Sequence, residues 1–105
     1  MPLQVGTYRL QNVRNKLTGC RLSWHLPKGA RILSVNTLGN GDVELLALIE
    51  QRCGWASKNF LLVKNWDLIE EEPATLRYIG NVQLYEDELP LHLFEIITNE
   101  DSLTQ

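Results

Sequence analysis

Polar and apolar side chains alternate along several short stretches of this chain, and a two-residue period is the mark of strands with one buried face. Cys20, Leu22, Trp24 and Leu26 alternate with Arg21, Ser23 and His25, which predicts a strand over 20–26. Leu76, Tyr78, Val82 and Leu84 alternate with Arg77, Ile79, Gln83 and Tyr85, the strongest such pattern, and Gly80 inside it predicts a bulge or a close backbone crossing. Val5, Tyr8 and Leu10 mark a first strand over 4–10, with an irregularity expected at Gly6. Apolar runs predict further strands over 30–35, 60–63 and 91–98. In 30–35, Leu33 and Val35 share one face and Ile32 and Ser34 the other, which suggests a strand covered on both sides, at the centre of the fold rather than its rim. Over 42–51, Val43, Leu45, Ala47 and Ile49 oppose Glu44, Leu46, Leu48 and Glu50 as in a strand, while high helix propensity makes a helix the competing reading.

Turn signals separate these runs. Pro27 fixes its own φ and extends the residue before it, so a strand ends there, and Gly29 accepts the positive φ that the turn requires. Gly39, Asn40 and Gly41 form a hairpin signal that doubles the chain back into 42–51. The polar, basic segment 11–19 reads as a loop, 51–59 as an exposed connection with Trp55 as an aromatic anchor, and 66–73 as a solvated bend. An acidic turn at 86–88 joins the last two strands into a second hairpin. About seven short strands define an all-β fold, an antiparallel β-sandwich or small barrel. The alternative is an α+β fold with a helix over 42–51. Residues 1–98 form the expected single β domain, and 99–105 a flexible tail.

The segment 26–35, Leu-Pro-Lys-Gly-Ala-Arg-Ile-Leu-Ser-Val, resembles one found in an uncharacterised family of small bacteriophage and prophage proteins. The likeness continues through the acid-ended apolar run 45–50, then Tyr78-Ile79-Gly80 leading into Val82-Gln83, and finally His92-Leu93-Phe94-Glu95. Order and approximate spacing agree over roughly four fifths of the chain. The resemblance implies a phage origin and a β fold, and it brings no activity with it. Where that family carries a glycine-threonine-glycine-histidine run, this chain has Leu62-Val63-Lys64-Asn65-Trp66-Asp67, so any binding role of the run does not transfer.

A length of 105 residues with 44% apolar content suits one domain with one core. No apolar stretch approaches the roughly 20 residues of a membrane span, and no basic-then-apolar leader opens the chain. A cytoplasmic protein without a membrane partner is therefore expected. The net charge of −3 conceals a sharp asymmetry. Residues 1–41 hold six cations and no carboxylate side chain, whereas 42–105 hold all 13 carboxylates against four cations, giving +6 and −9. Such a layout implies an anionic partner for the first part or ion pairing between the two.

Chemistry-bearing constellations are sparse. Cys20, His25, Cys53 and His92 lack the short paired spacings of zinc sites, and the cysteines read as buried apolar thiols, so no metal, cofactor or disulfide is expected. No serine or cysteine is framed beside His25 or His92 as a nucleophile would be, and no enzyme activity is expected. Arg14, Lys16, Arg21 and Arg31, with Trp24 near them, form a candidate site for a nucleotide or nucleic acid, holding phosphate oxygens while an aromatic stacks on a base; the competing reading of Trp24 is core. Trp55 and Trp66, with the acidic groups Glu70, Glu71, Glu72 and Glu86, Asp87, Glu88, form a candidate surface for a host protein, the carboxylates imitating nucleic-acid phosphates. Three functions remain open: a phage accessory protein that binds and inhibits a host protein, a small-ligand binder, and a minor virion component. A homo-oligomer joined through unlike charges is also expected.

Overall fold

Strand alternation is obeyed almost throughout. The computed structural model describes residues 2–39, 41–51, 54–85 and 88–98. They form β1 (Leu3–Leu10), a one-turn helix α1 (Val13–Lys16), β2 (Arg21–Pro27), β3 (Arg31–Gly39), β4 (Asp42–Glu50), β5 (Trp55–Val63), a 3₁₀ turn (Pro73–Thr75), β6 (Leu76–Val82) and β7 (Leu91–Ile96). The seven strands are antiparallel and make two sheets, a three-stranded one ordered β1-β4-β3 and a four-stranded one ordered β2-β5-β7-β6. The 42–51 segment is a strand, because the hairpin delivers it between β1 and β3, where both its edges are paired. Gly39 and Gly41, at φ 93° and 82°, supply the left-handed backbone of that hairpin.

The core lies between the sheets. Leu22, Trp24, Leu26, Phe60, Leu62 and Leu93 from the larger sheet meet Ile32, Val43, Leu45 and Ala47 from the smaller, and Val13 of α1 adds to the same cluster. Trp24 meets Phe60 edge to face, with ring centroids 5.8 Å apart. Full burial of one such side chain is worth roughly 1.5–3 kcal/mol, so this inner layer is the dominant stabilising element.

Along one side the two sheets nearly close through β3 and β6. Arg77 Nη2 donates to the Ile32 carbonyl at 2.8 Å, and the Gln83 amide donates to Thr37 Oγ1 at 2.9 Å. Gly80 makes this approach possible, since a Cβ there would stand 3.1 Å from Val35 Cγ1, and the predicted bulge falls between Tyr78 and Gly80.

Several expectations are corrected. Gly6 is no bulge: β1 and β4 pair residue for residue, and the Tyr8 ring folds back over the space a side chain would need. The 11–19 loop contains α1, begun by Asn12 at φ 57°. β3 is an edge of its sheet, and a bulge between Ile32 and Ser34 turns Leu33 outward. Trp55 begins β5 instead of lying in a connection, and Cys20 is exposed instead of buried. The expected tail, 99–105, and Cys53 lie outside the described residues.

Candidate functional site

The N-terminal cations are dispersed by the strands that carry them. Arg21 projects from the outer face of the larger sheet and bonds the Glu71 carboxylate, whereas Arg31 lies on the outer face of the smaller sheet, opposite Leu48. The Arg14 guanidinium sits 5.3 Å from the centre of the Tyr85 ring, and Lys16 ends α1 on an exposed turn. Trp24 faces the core and has no stacking surface to offer. Of the five residues expected to hold an anion, Arg14 and Lys16 share α1, Arg21 and Arg31 lie on the outer faces of different sheets, and Trp24 is in the core.

Pairing between the basic and acidic parts of the chain is present instead. Besides Arg21–Glu71, Arg9 Nη2 donates to Asp42 Oδ2 at 2.7 Å, while Asp42 Oδ1 accepts the Asn12 amide at 3.0 Å. These two bonds, together with the nearby Arg9 charge, hold the Asp42 carboxyl below its ordinary value of 3.8.

Of the aromatic and acidic candidates, Trp66 is placed most distinctively. It is 98% exposed and held at φ 71°, a left-handed conformation that costs a bulky residue roughly 1–2 kcal/mol. The surrounding turn enforces it. The Asp67 amide donates to the Lys64 carbonyl at 3.3 Å, and the Lys64 amide donates to Asp67 Oδ2 at 2.9 Å. Asn65 is tied through its side chain to His92 Nε2, and His92 Nδ1 lies 3.1 Å from the Tyr78 hydroxyl, which donates to Asn81 Oδ1 at 2.7 Å. A turn fixed at both ends projects the indole into solvent.

Leu68 and Leu89, 94% and 75% exposed, belong to the segments on either side of Trp66. Lys64, Asn65, Trp66, Glu88, Leu89 and Pro90 line a cavity of about 340 Å³. Glu70, Glu72 and Glu88 are exposed, and Glu71 is drawn toward Arg21. Glu86 and Asp87 lie outside the described residues. Trp55 stands elsewhere, stacked on His25 and edge-on to Tyr8.

Sequence reasoning missed Leu68, Leu89 and Pro90, because the two loops that carry them meet only through β5 and β7. It also missed a buried ionic group on the inner face of the larger sheet. Lys58 Nζ lies 3.0 Å from Glu95 Oε2, and Arg77 Nη1 lies 3.9 Å from Glu95 Oε1. Both members of the closer pair are almost fully buried, and Arg77 continues to the Ile32 carbonyl, so the group ties β5, β7 and β6 to β3.

These features define an antiparallel β protein of seven strands with one preformed apolar and acidic loop surface. Comparison with known proteins finds no matching family model, no matching curated protein and no matching solved structure. Among the described residues, no helix is long and apolar enough to cross a membrane.

Proposed function

We propose that the protein acts by binding, through Trp66 and its neighbours, to a host protein that presents an apolar cleft with a basic rim. The observation that carries this reading is the exposure of Trp66 on a strained turn closed by the Lys64–Asp67 bonds. A large aromatic held in water at a conformational cost matches the profile of an interface anchor. Leu68 and Leu89 widen the apolar surface, and Glu70, Glu72 and Glu88 set the sign of the charge around it. The likeness to phage proteins supports an accessory role inside a bacterial host, with inhibition as the consequence of occupying that cleft.

The test is paired capture from host extract with the wild-type chain and with Trp66→Ala, at low and high salt. A specific partner is retained by the wild type, lost with the variant, and held more weakly as salt rises. Equal retention by both chains, or binding indifferent to salt, contradicts the proposal. The cavity favours a second reading, in which a flat anionic molecule lies between the Trp66 indole and Lys64. A rise in melting temperature with a mono- or cyclic nucleotide supports it, and no rise at saturating concentration removes it.

A further inference from the structure

The outer edge of β1 goes beyond that reading, and it is carried by observations on the opposite sheet. β1 alone among the seven strands has no buried residue. Its Leu3 and Val5 are each 57% exposed, and among the described residues β4, along one side, is the only strand that pairs with it. An edge strand presents a row of unpaired amides and carbonyls, and folded proteins blunt such rows with bulges, prolines, lysines or cover. The other three edges carry these devices. β3 has two register shifts, β6 has one and abuts β3, and β2 ends in Pro27. β1 has eight uninterrupted register pairs and contains neither proline nor lysine.

We infer that β1 pairs antiparallel with β1 of a second copy of this chain, centred on Gly6, to make a continuous six-stranded sheet. The choice of occupant follows from the residues on the outer face. Leu3, Val5, Thr7 and Arg9 face outward, in register with Glu50, Leu48, Leu46 and Glu44 of β4. Antiparallel neighbours that face each other share a side of the sheet, so a two-fold axis at Gly6 sets Leu3 opposite Arg9 of the second copy and Val5 opposite Thr7. Leu48 and Val5 of one copy then run on into Thr7 and Leu46 of the other as an apolar band. Each Arg9, bonded to Asp42 of its own chain, then stands in a row between Glu44 of its own copy and Glu50 of the other, so a cation is set between carboxylates at either end of the band. One surface therefore satisfies itself in hydrogen bonds, apolar cover and charge, as a two-fold contact requires.

Light scattering and sedimentation across a range of concentrations test this directly. The wild-type chain is expected at twice 12.0 kDa. Leu3→Lys with Val5→Lys sets like charges across the axis and is expected to weaken association roughly tenfold or more, with an unchanged circular-dichroism spectrum. Register is read independently in a Cys20→Ser, Cys53→Ser background: Val5→Cys with Thr7→Cys is expected to give a covalent dimer on oxidation, whereas Leu3→Cys with Val5→Cys is not. A monomer at every concentration overturns the inference, as does a dimer indifferent to the lysines or one that cross-links only through the second cysteine pair. Loss of binding through Trp66 with dimerisation intact is a failure of the proposed function alone.

Discussion

The two sheets treat their outer faces differently. On the larger sheet Leu61 and Val63 point away from the main core and are nonetheless buried, and the connection from Lys64 to Glu72 is tied to that same face by Asn65–His92 at one end and Glu71–Arg21 at the other. On the smaller sheet Leu3, Val5 and Leu33 are exposed, and Leu46 and Leu48 are half-buried. The interiors differ too, since the larger sheet holds the Lys58–Glu95 pair where the smaller one presents Val43, Leu45 and Ala47. The larger sheet completes itself from its own chain. The smaller one is completed, on our account, by another copy.

That contrast is open to attack, beginning with its interior. Glu95→Ala removes the carboxylate that faces the buried Lys58 ammonium and the Arg77 guanidinium and is expected to cost roughly 3–5 kcal/mol in urea denaturation; a loss below about 1 kcal/mol would mean that the larger sheet does not depend on the pair. One step outward, Leu61→Ala is expected to cost roughly 2–4 kcal/mol, whereas Val5→Ala, measured where the chain is monomeric, changes stability by no more than about 0.5 kcal/mol. Similar losses at both positions would erase the distinction between a covered and a bare face. Trp66→Gly relieves the left-handed strain and is expected to leave stability unchanged or raise it by up to about 1 kcal/mol, while abolishing partner capture. A clear loss of stability would make Trp66 a structural residue. Arg21→Ala releases a partly exposed ion pair worth roughly 0–1 kcal/mol, and its more visible effect is faster proteolysis within the 64–72 connection.

Acid acts on the join between β1 and the β3–β4 hairpin. Because folding lowers the Asp42 carboxyl below 3.8, its contribution is fully present above the unfolded value and is lost as pH falls through the folded one. The melting temperature of the wild type is therefore expected to fall more steeply below about pH 4 than that of Asp42→Asn. Identical acid profiles would show that Asp42 does not hold this join.

Much of the architecture was legible in local pattern. Alternation located β2, β4 and β6, the Gly39 and Gly41 pair located the central hairpin, and Gly80 located the bulge beside Val35. β5 extends well before its apolar run 60–63, because Ser57-Lys58-Asn59 has the composition of a loop while Lys58 meets Glu95, 37 residues away. Gly6 admits the Tyr8 ring in place of forming a bulge, a contact that no periodicity reports. The candidate site was less legible. Charge asymmetry points either to an anionic partner or to pairing between the basic and acidic parts; Arg9–Asp42 and Arg21–Glu71 are pairs of the second kind, but which cations share a face depends on strand order. Trp66 was singled out by its polar surroundings, whereas its partners Leu68 and Leu89 lie on loops that only the β5–β7 pairing brings close.

Amide hydrogen exchange of the wild-type chain at low and high protein concentration compares the two sheets in one measurement. Protection along β1 is expected to rise with concentration while that of β5 stays constant. Exchange in β1 that is independent of concentration would contradict the claim that the smaller sheet is completed by a second copy.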